Sequence, residues 1–64
     1  MYISVEFDLG PDVRTATAEH GPGDVWLVVD DATQDVVDCW HGSDDPEREL
    51  ETRGYHVREV WEWA

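Results

Sequence analysis

Apolar and polar residues alternate along the start of the chain. Every odd-numbered residue from Met1 to Leu9 is apolar, whereas the even-numbered residues between them are Tyr, Ser, Glu and Asp. Because successive side chains of a strand point to opposite faces of a sheet, this pattern predicts a half-buried β-strand. Gly10, Pro11 and Asp12 are typical turn residues and should end the strand.

Further segments have the composition of strands. Residues 25–29 are apolar at every position, which predicts a strand covered on each face. Residues 36–41 follow after the polar residues 30–35, and two β-rich runs joined in this way predict a hairpin. Residues 13–19 are ambiguous, since their two threonines favour a strand and their two alanines tolerate a helix. We interpret them as a strand that ends at a turn over residues 20–24.

A short helix is predicted after Gly42. Residues 43–47 provide a capping side chain, a proline suited to the first helical position and carboxylates at the positive end of the helix dipole. Arg53 and Gly54 provide the stop signal, so the helix should be about eight residues long. Its one apolar anchor is Leu50, whose packing must hold the helix in place.

A last strand is predicted over residues 55–63. Its alternation breaks at Glu59 and Val60, and a β-bulge near Arg58 or Glu59 would restore the pattern. The element order is therefore β-β-β-β-α-β over residues 1–64. This order predicts one α+β domain, in which a small antiparallel sheet is covered on one face by one short helix.

One helix can cover only one face of such a sheet. We assign to the covered face Met1, Ile3, Val5, Phe7, Val25, Leu27, Val29, Val37 and Cys39. The uncovered face then holds Tyr2, Trp26, Val28, Val36 and Trp40, with Trp61 or Trp63 beside them. Aromatic side chains bury about 150–250 Å² each, so two or three uncovered ones would form an apolar patch that marks an interface. The alternative is that the tryptophans fill the core, because only three leucines and one isoleucine are available.

Composition limits the function classes. The chain has 64 residues, 16 carboxylates, four arginines, no lysine and a formal net charge of −12. Repulsion from phosphates argues against direct nucleic-acid binding, and no apolar run approaches the ~18 residues of a membrane span. The start Met-Tyr-Ile-Ser lacks a basic segment and the chain has one cysteine, so we expect no signal peptide and a cytoplasmic location. An apolar content of 41% predicts a folded domain rather than a disordered acidic tail.

We predict no metal, cofactor or catalytic site. Cys39 and His41 share a strand face, but His20 and His56 add no zinc-binding spacing. The aspartates within residues 30–38 lack the EF-hand spacing, and aspartates are ordinary turn formers. The sequence contains no Gly-rich phosphate loop, nucleophile elbow or credible Ser/His/Asp spacing, so we expect no enzyme activity.

The excess of acid is the unusual feature. Residues 30–38 and 44–51 together hold nine carboxylates against one arginine, and only a loop separates the two segments. Gathered on half of the surface, the acids would reach about one per 130 Å², close to the ~110 Å² per phosphate of a duplex. The candidate partner-binding residues are Asp30, Asp31, Asp35, Asp38, Asp44, Asp45, Glu47 and Glu51, with Trp40 or Trp63 as an apolar anchor.

Three hypotheses explain this charge. In the first, the chain binds a basic partner protein, as a nucleic-acid-mimicking inhibitor or regulator of the kind that phages and mobile elements carry. In the second, the acids adapt the protein to the high salt of a halophile. In the third, the chain is a homodimeric interaction module whose charge serves solubility. The four tryptophans and the short chain favour the first hypothesis.

Overall fold

The computed structural model describes residues 1–42 and 44–61 of the chain. Its elements are β1 (Tyr2–Leu9), β2 (Asp12–Gly21), β3 (Val25–Asp30), β4 (Val36–His41), α1 (Pro46–Thr52) and β5 (His56–Trp61). The predicted α+β class and element order are confirmed, and residues 13–19 form part of a strand. Ser43, within the predicted helix start, lies outside the described residues.

The strands pair antiparallel in one sheet of order β4-β3-β2-β1-β5. β2 pairs with β3 only from Ala16 onwards, and β1 pairs with β5 only as far as Glu6. The β1–β2 hairpin therefore extends beyond the rest of the sheet. β4 and β5 are the two edges, and α1 connects them along the chain.

Local capping explains where α1 begins and ends. The Asp45 carboxylate accepts a hydrogen bond from the backbone N–H of Arg48 at 3.2 Å, and Pro46 occupies the first turn. Gly54 follows the helix with φ +97°, a left-handed conformation that glycine adopts without steric cost. Leu50 is fully buried, which confirms the prediction that it anchors the helix.

The core lies on the face of the sheet that α1 covers. Its buried apolar members are Ile3, Val5, Ala16, Ala18, Trp26, Val28, Trp40, Leu50 and Tyr55. Phe7 and Val57 pack against this cluster, and the Phe7 ring meets Tyr55 edge-on with 5.7 Å between centroids. Such aromatic geometry adds to the free energy gained from burial alone.

The predicted faces are wrong for β3 and for Cys39 and Trp40 of β4, whereas Val36 lies on the uncovered face as predicted. Trp26, Val28 and Trp40, which we assigned to the uncovered face, are buried in the core. Six residues that we predicted to be covered lie outside the core cluster and are half-buried or exposed: Met1, Val25, Leu27, Val29, Val37 and Cys39. The alternative, in which tryptophans fill the core, holds for Trp26 and Trp40.

Strand register explains this correction. Ile3 lies opposite Ala18, and Ala18 lies opposite Val28, so these three side chains share the core face. Because residues 25–29 are apolar at every position, alternation along β3 cannot select its buried face. The indole rings are the largest apolar groups of this hairpin, and burying them excludes the most apolar surface from water.

β5 contains the predicted β-bulge. Its register against β1 shifts between Ser4 and Val5, which leaves Arg58 as the extra residue. Val57, before the bulge, packs against the core, whereas Trp61, after it, lies on the opposite face. The bulge therefore moves a tryptophan out of the core side and onto the uncovered side of the sheet.

Candidate functional site

Asp30, one of the predicted contact residues, is only 3% exposed and stabilises the fold. Its Oδ1 accepts hydrogen bonds from the backbone N–H groups of Ala32 at 2.8 Å and Thr33 at 3.3 Å. Its Oδ2 lies 3.4 Å from Nε of Arg14. A buried carboxylate requires such partners, so Asp30 holds the β3–β4 turn together and is not available to another protein.

Asp38, a second predicted contact residue, is half-buried and joins β4 to the end of α1. Its Oδ1 accepts hydrogen bonds from Nη1 of Arg53 at 2.9 Å and from the backbone N–H of Cys39 at 2.8 Å. Its Oδ2 accepts a hydrogen bond from the Tyr55 hydroxyl at 3.2 Å. Burial, followed by the nearby charge of Asp38, raises the pKa of Tyr55 to about 12. This carboxylate is therefore part of an internal network.

The predicted exposure of Trp40 is wrong, because the residue is 7% exposed within a column of stacked side chains. Its ring lies 6.2 Å from that of Trp26 with 11° between the planes, and His20 stacks on Trp26 at 4.9 Å. The Arg53 guanidinium carbon lies 4.7 Å from the Trp40 ring centroid. Trp40 thus belongs to the core, and the other predicted anchor, Trp63, lies outside the described residues.

The remaining predicted acids are exposed, and they are Asp31, Asp35, Asp44, Asp45, Glu47 and Glu51. Two of them lie at the β3–β4 turn, three at the start of α1 and one near its end. The six residues of β4 span about 17 Å between the turn and the loop that leads to the helix. Acids that are neighbours in sequence are therefore distributed along β4 and α1 rather than collected at one loop.

Most of the arginines are used within the fold. The ion pairs are Arg14 with Asp30 (3.4 Å), Arg53 with Asp38 (2.9 Å) and Glu49 (3.0 Å), and Arg58 with Glu6 (3.2 Å). By contrast, eight exposed acids have no ion pair to any described residue: Asp31, Asp35, Asp44, Glu47 and Glu51 among the predicted contact residues, and Asp8, Asp12 and Glu59 elsewhere. Solvent, salt or a partner must supply the countercharge for these carboxylates.

The sheet face opposite the core, which we call the open face, holds Tyr2, Val36 and Trp61 as predicted. It also holds Leu27, Val29 and Cys39, which we assigned to the covered face. Register aligns its side chains in two rows across the five strands: Trp61, Tyr2, Glu19, Leu27 and Cys39, and then Glu59, Ser4, Thr17, Val29 and Val36. The exposed fractions of Trp61 and Val36 are 46% and 56%. The signal that identifies this face is in β2, where alanines alternate with threonines and a glutamate. The alanines face the core, and register with β2 then determines the faces of β3.

A shallow cavity of about 260 Å³ lies on the open face. It is lined by Thr17, Glu19, Val29, Asp31 and Gln34. The Thr17 hydroxyl donates a hydrogen bond to Oδ1 of Asp31 at 2.8 Å, which orients this carboxylate. The cavity thus combines two carboxylates with an apolar wall, a combination that suits a long basic side chain.

A second cavity, of about 410 Å³, lies where α1 meets β5. Its lining residues are Glu51, Gly54, Tyr55, His56 and Val57. It contains one carboxylate and one imidazole, fewer ligands than a zinc site requires. In the part of the chain that the structure describes, no three His, Cys, Asp or Glu side chains come together to hold a metal ion.

The helix α1 is seven residues long. Among residues 1–42 and 44–61, no helix has both the length and the apolar character needed to cross a membrane. Comparison of the chain with protein-family models, curated proteins and solved structures finds no match.

Proposed function

We propose that the chain is a non-enzymatic protein that binds a basic surface of a partner protein. The observation that supports this proposal is the contrast between its inward and outward acids. Arg14, Arg53 and Arg58 neutralise carboxylates within the fold, while eight exposed carboxylates have no ion pair among the described residues, and five of these eight belong to the β3–β4 turn and to residues 44–51. A cationic partner would supply the missing countercharge, and long-range attraction would speed the encounter.

The contact residues of this proposal are the exposed acids of the β3–β4 turn and of α1, namely Asp31, Asp35, Asp44, Asp45, Glu47 and Glu51. Asp30 and Asp38 are left out, because their carboxylates bind groups of the fold itself. Trp61, which is 46% exposed, replaces the buried Trp40 as the apolar anchor.

Nucleic-acid mimicry is the more specific form of the proposal. The 16 carboxylates share an accessible surface of 4315 Å². Their mean spacing is therefore about 270 Å² per charge, against about 110 Å² per phosphate of a duplex. Residues 44–51 carry five of these acids and form the densest segment. This segment would enter the groove of a nucleic-acid-binding protein in the cytoplasm, and duplex DNA should then compete for the partner.

Salt adaptation is the second candidate, and the spread of the acids supports it. Exposed carboxylates lie at the β1–β2 turn, at the β3–β4 turn, on α1 and on β5. At 1 M salt the screening length is about 3 Å, so their mutual repulsion would be removed. On this alternative the melting temperature rises steeply between dilute buffer and molar potassium chloride. A melting temperature that does not respond to salt contradicts it.

Matched charge variants test the binding proposal. The double substitution Glu47→Gln/Glu51→Gln removes two charges from α1, and the control Asp8→Asn/Asp12→Asn removes two from the β1–β2 hairpin tip; all four residues are exposed. The probe is a synthetic lysine/alanine helical peptide, with association followed by stopped-flow fluorescence at several salt concentrations. We expect the α1 variant to slow association several-fold and the control to slow it less. Equal slowing by both variants would show that only net charge matters and would contradict the proposed surface.

A further inference from the structure

The open face carries more apolar side chains than is usual for a sheet face that is exposed only to solvent. An antiparallel sheet with one solvated face usually presents polar side chains there. Here Leu27 and Val29 are half-buried, and Val36 and Trp61 are exposed at 56% and 46%. α1 lies on the core side, where it buries Leu50, and packs against β5. An apolar face of this kind, left open beside a covered core, indicates an interface.

A second copy of the chain does not fit this face. Five strands about 4.8 Å apart and about 20 Å long give roughly 480 Å², whereas a stable interface buries about 800 Å² on each partner. Each copy also has a net charge of −12, so two copies repel each other. The occupant is therefore smaller than a whole protomer face and of opposite charge.

The charges on the open face are consistent with a basic occupant. Glu19 and Glu59 align with its two rows, and Asp31 lies at the end of β3. Arg58 is the arginine on this side, and its Nε lies 3.2 Å from Oε1 of Glu6. Since that arginine is already paired, the remaining carboxylates need a cation from outside the chain.

The cavity on this face provides a place for one such cation. Val29 offers an apolar wall along which the methylene groups of a lysine or arginine can lie. Glu19 and Asp31 are both in the lining, so the charged end of that side chain would meet two carboxylates. The hydrogen bond from Thr17 to Oδ1 of Asp31 holds one of them in place before binding.

We propose that the open face docks a basic amphipathic helix of the partner protein. Its apolar side chains would lie on the row that contains Leu27 and Trp61, and one lysine or arginine would enter the cavity between Glu19 and Asp31. This inference rests on the proposed function, since it names the surface and the segment that would hold the partner. The acids of α1 then steer the encounter, while the open face retains the bound helix.

Two synthetic helical peptides of equal length and equal charge test this inference. One combines lysine with leucine on its apolar side, and the other combines lysine with alanine. We expect the chain to bind the lysine/leucine peptide at least about tenfold more tightly, because leucine buries more apolar surface. Isothermal titration at physiological salt measures the two affinities. Equal affinities would overturn the inference.

Substitutions on the chain locate the binding face. Leu27→Ser should abolish the preference for leucine, whereas Val37→Ser, at a 43% exposed position on the β4 edge, should retain it. Near-UV circular dichroism checks that both variants are folded. Loss of the preference in both, or in neither, would contradict docking on the open face.

Isosteric charge variants provide a second test, which remains valid even if the Leu27→Ser variant does not fold. Glu19→Gln/Glu59→Gln on the open face should weaken binding of both peptides more than Glu47→Gln/Glu51→Gln on α1 does. If only the α1 pair weakens binding, the open-face inference fails and the proposed function stands. If the chain binds neither peptide, both fail.

Discussion

The two faces of β3 show how differently one apolar strand is used. On the core face Trp26 and Val28 are 3% and 0% exposed, while Leu27 and Val29 on the open face are half-buried. Both sets are apolar, so hydrophobicity along β3 does not explain the difference. The explanation lies in the neighbouring strand β2. Its core side carries alanines, which leave room for indole rings and for Leu50 of α1, and its open side carries threonines and a glutamate.

Small residues on one strand can decide which face of the next strand is buried. Ala16 and Ala18 are fully buried and pair with Asp30 and Val28, whereas Thr17 pairs with Val29. A side chain opposite an alanine therefore points to the core. The open face keeps a mixed surface of apolar and acidic side chains, and it is on this surface that we propose a basic partner binds.

The largest expected effect comes from removing the aromatic side chain of the core face. Trp26→Ala should lower the free energy of unfolding by about 3–5 kcal/mol, because it leaves a cavity between the rings of His20 and Trp40. Leu27→Ala on the open face should cost about 1 kcal/mol, since the side chain is only half-buried. Urea unfolding followed by circular dichroism compares the two variants. Equal losses in the free energy of unfolding would contradict the difference in burial between the two faces.

Alkaline pH should lower the free energy of unfolding, because the buried hydroxyl of Tyr55 then loses its proton. The pKa of this tyrosine is about 12 in the fold, against an ordinary value of 10.0. The unfolded chain therefore releases the proton first, so the stabilising contribution is complete below pH 10 and is lost as pH rises from 10 to 12. The loss amounts to at most about 2–3 kcal/mol.

Tyr55→Phe provides the control for this pH dependence. Urea unfolding at fixed pH values gives the free energy of unfolding of the wild-type chain and of the variant. The difference, wild type minus variant, should fall across the same pH window. A difference that stays constant from pH 9 to pH 12 would show that Tyr55 is not held in its neutral form by burial and Asp38.

Two aspartates that are adjacent in sequence should contribute very differently to stability. Asp30 is buried and accepts hydrogen bonds from two backbone N–H groups, whereas Asp31 is exposed and accepts one from the Thr17 hydroxyl. Asp30→Ala should lower the free energy of unfolding by about 1–3 kcal/mol. Asp31→Ala should change it by no more than about 0.5 kcal/mol. Thermal unfolding of both variants tests this, and similar melting temperatures would contradict the structural role of Asp30.

The smallest effect is expected at Cys39, which is exposed in the row of the open face. Cys39→Ser should change the free energy of unfolding by no more than about 0.5 kcal/mol. In the wild-type chain, a thiol reagent should label Cys39 in native buffer at nearly the rate seen in urea. Labelling that is limited by the unfolding rate would place Cys39 on the covered face after all.

Local sequence signals were sufficient to predict the elements. Pro46 and Gly54 mark the two ends of α1, and alternation identifies β1. The interrupted pattern of the last strand predicts a bulge near Arg58 or Glu59, and the structure has it at Arg58. Each of these features depends on residues only a few positions apart. A pattern read along the chain contains that information.

The candidate site could be predicted only in part. The acids of the β3–β4 turn and of α1 are exposed as predicted, because turn and helix-surface positions favour charged residues. The roles of Asp30, Asp38 and Trp40 depend on Arg14 and on Arg53, which the fold brings to them from other elements. No spacing rule predicts those contacts.

Short-range patterns were enough to predict the succession of strands and helix along the chain, the net charge, the turns and the bulge of β5. Only the folded chain shows which face of β3 is buried, where the register of β3 and β4 shifts, which carboxylates pair with arginine and which side of the sheet is left open. The physical reason is distance along the chain. Capping and alternation act between near neighbours, whereas burial and ion pairing follow from the register of strands that are far apart in sequence.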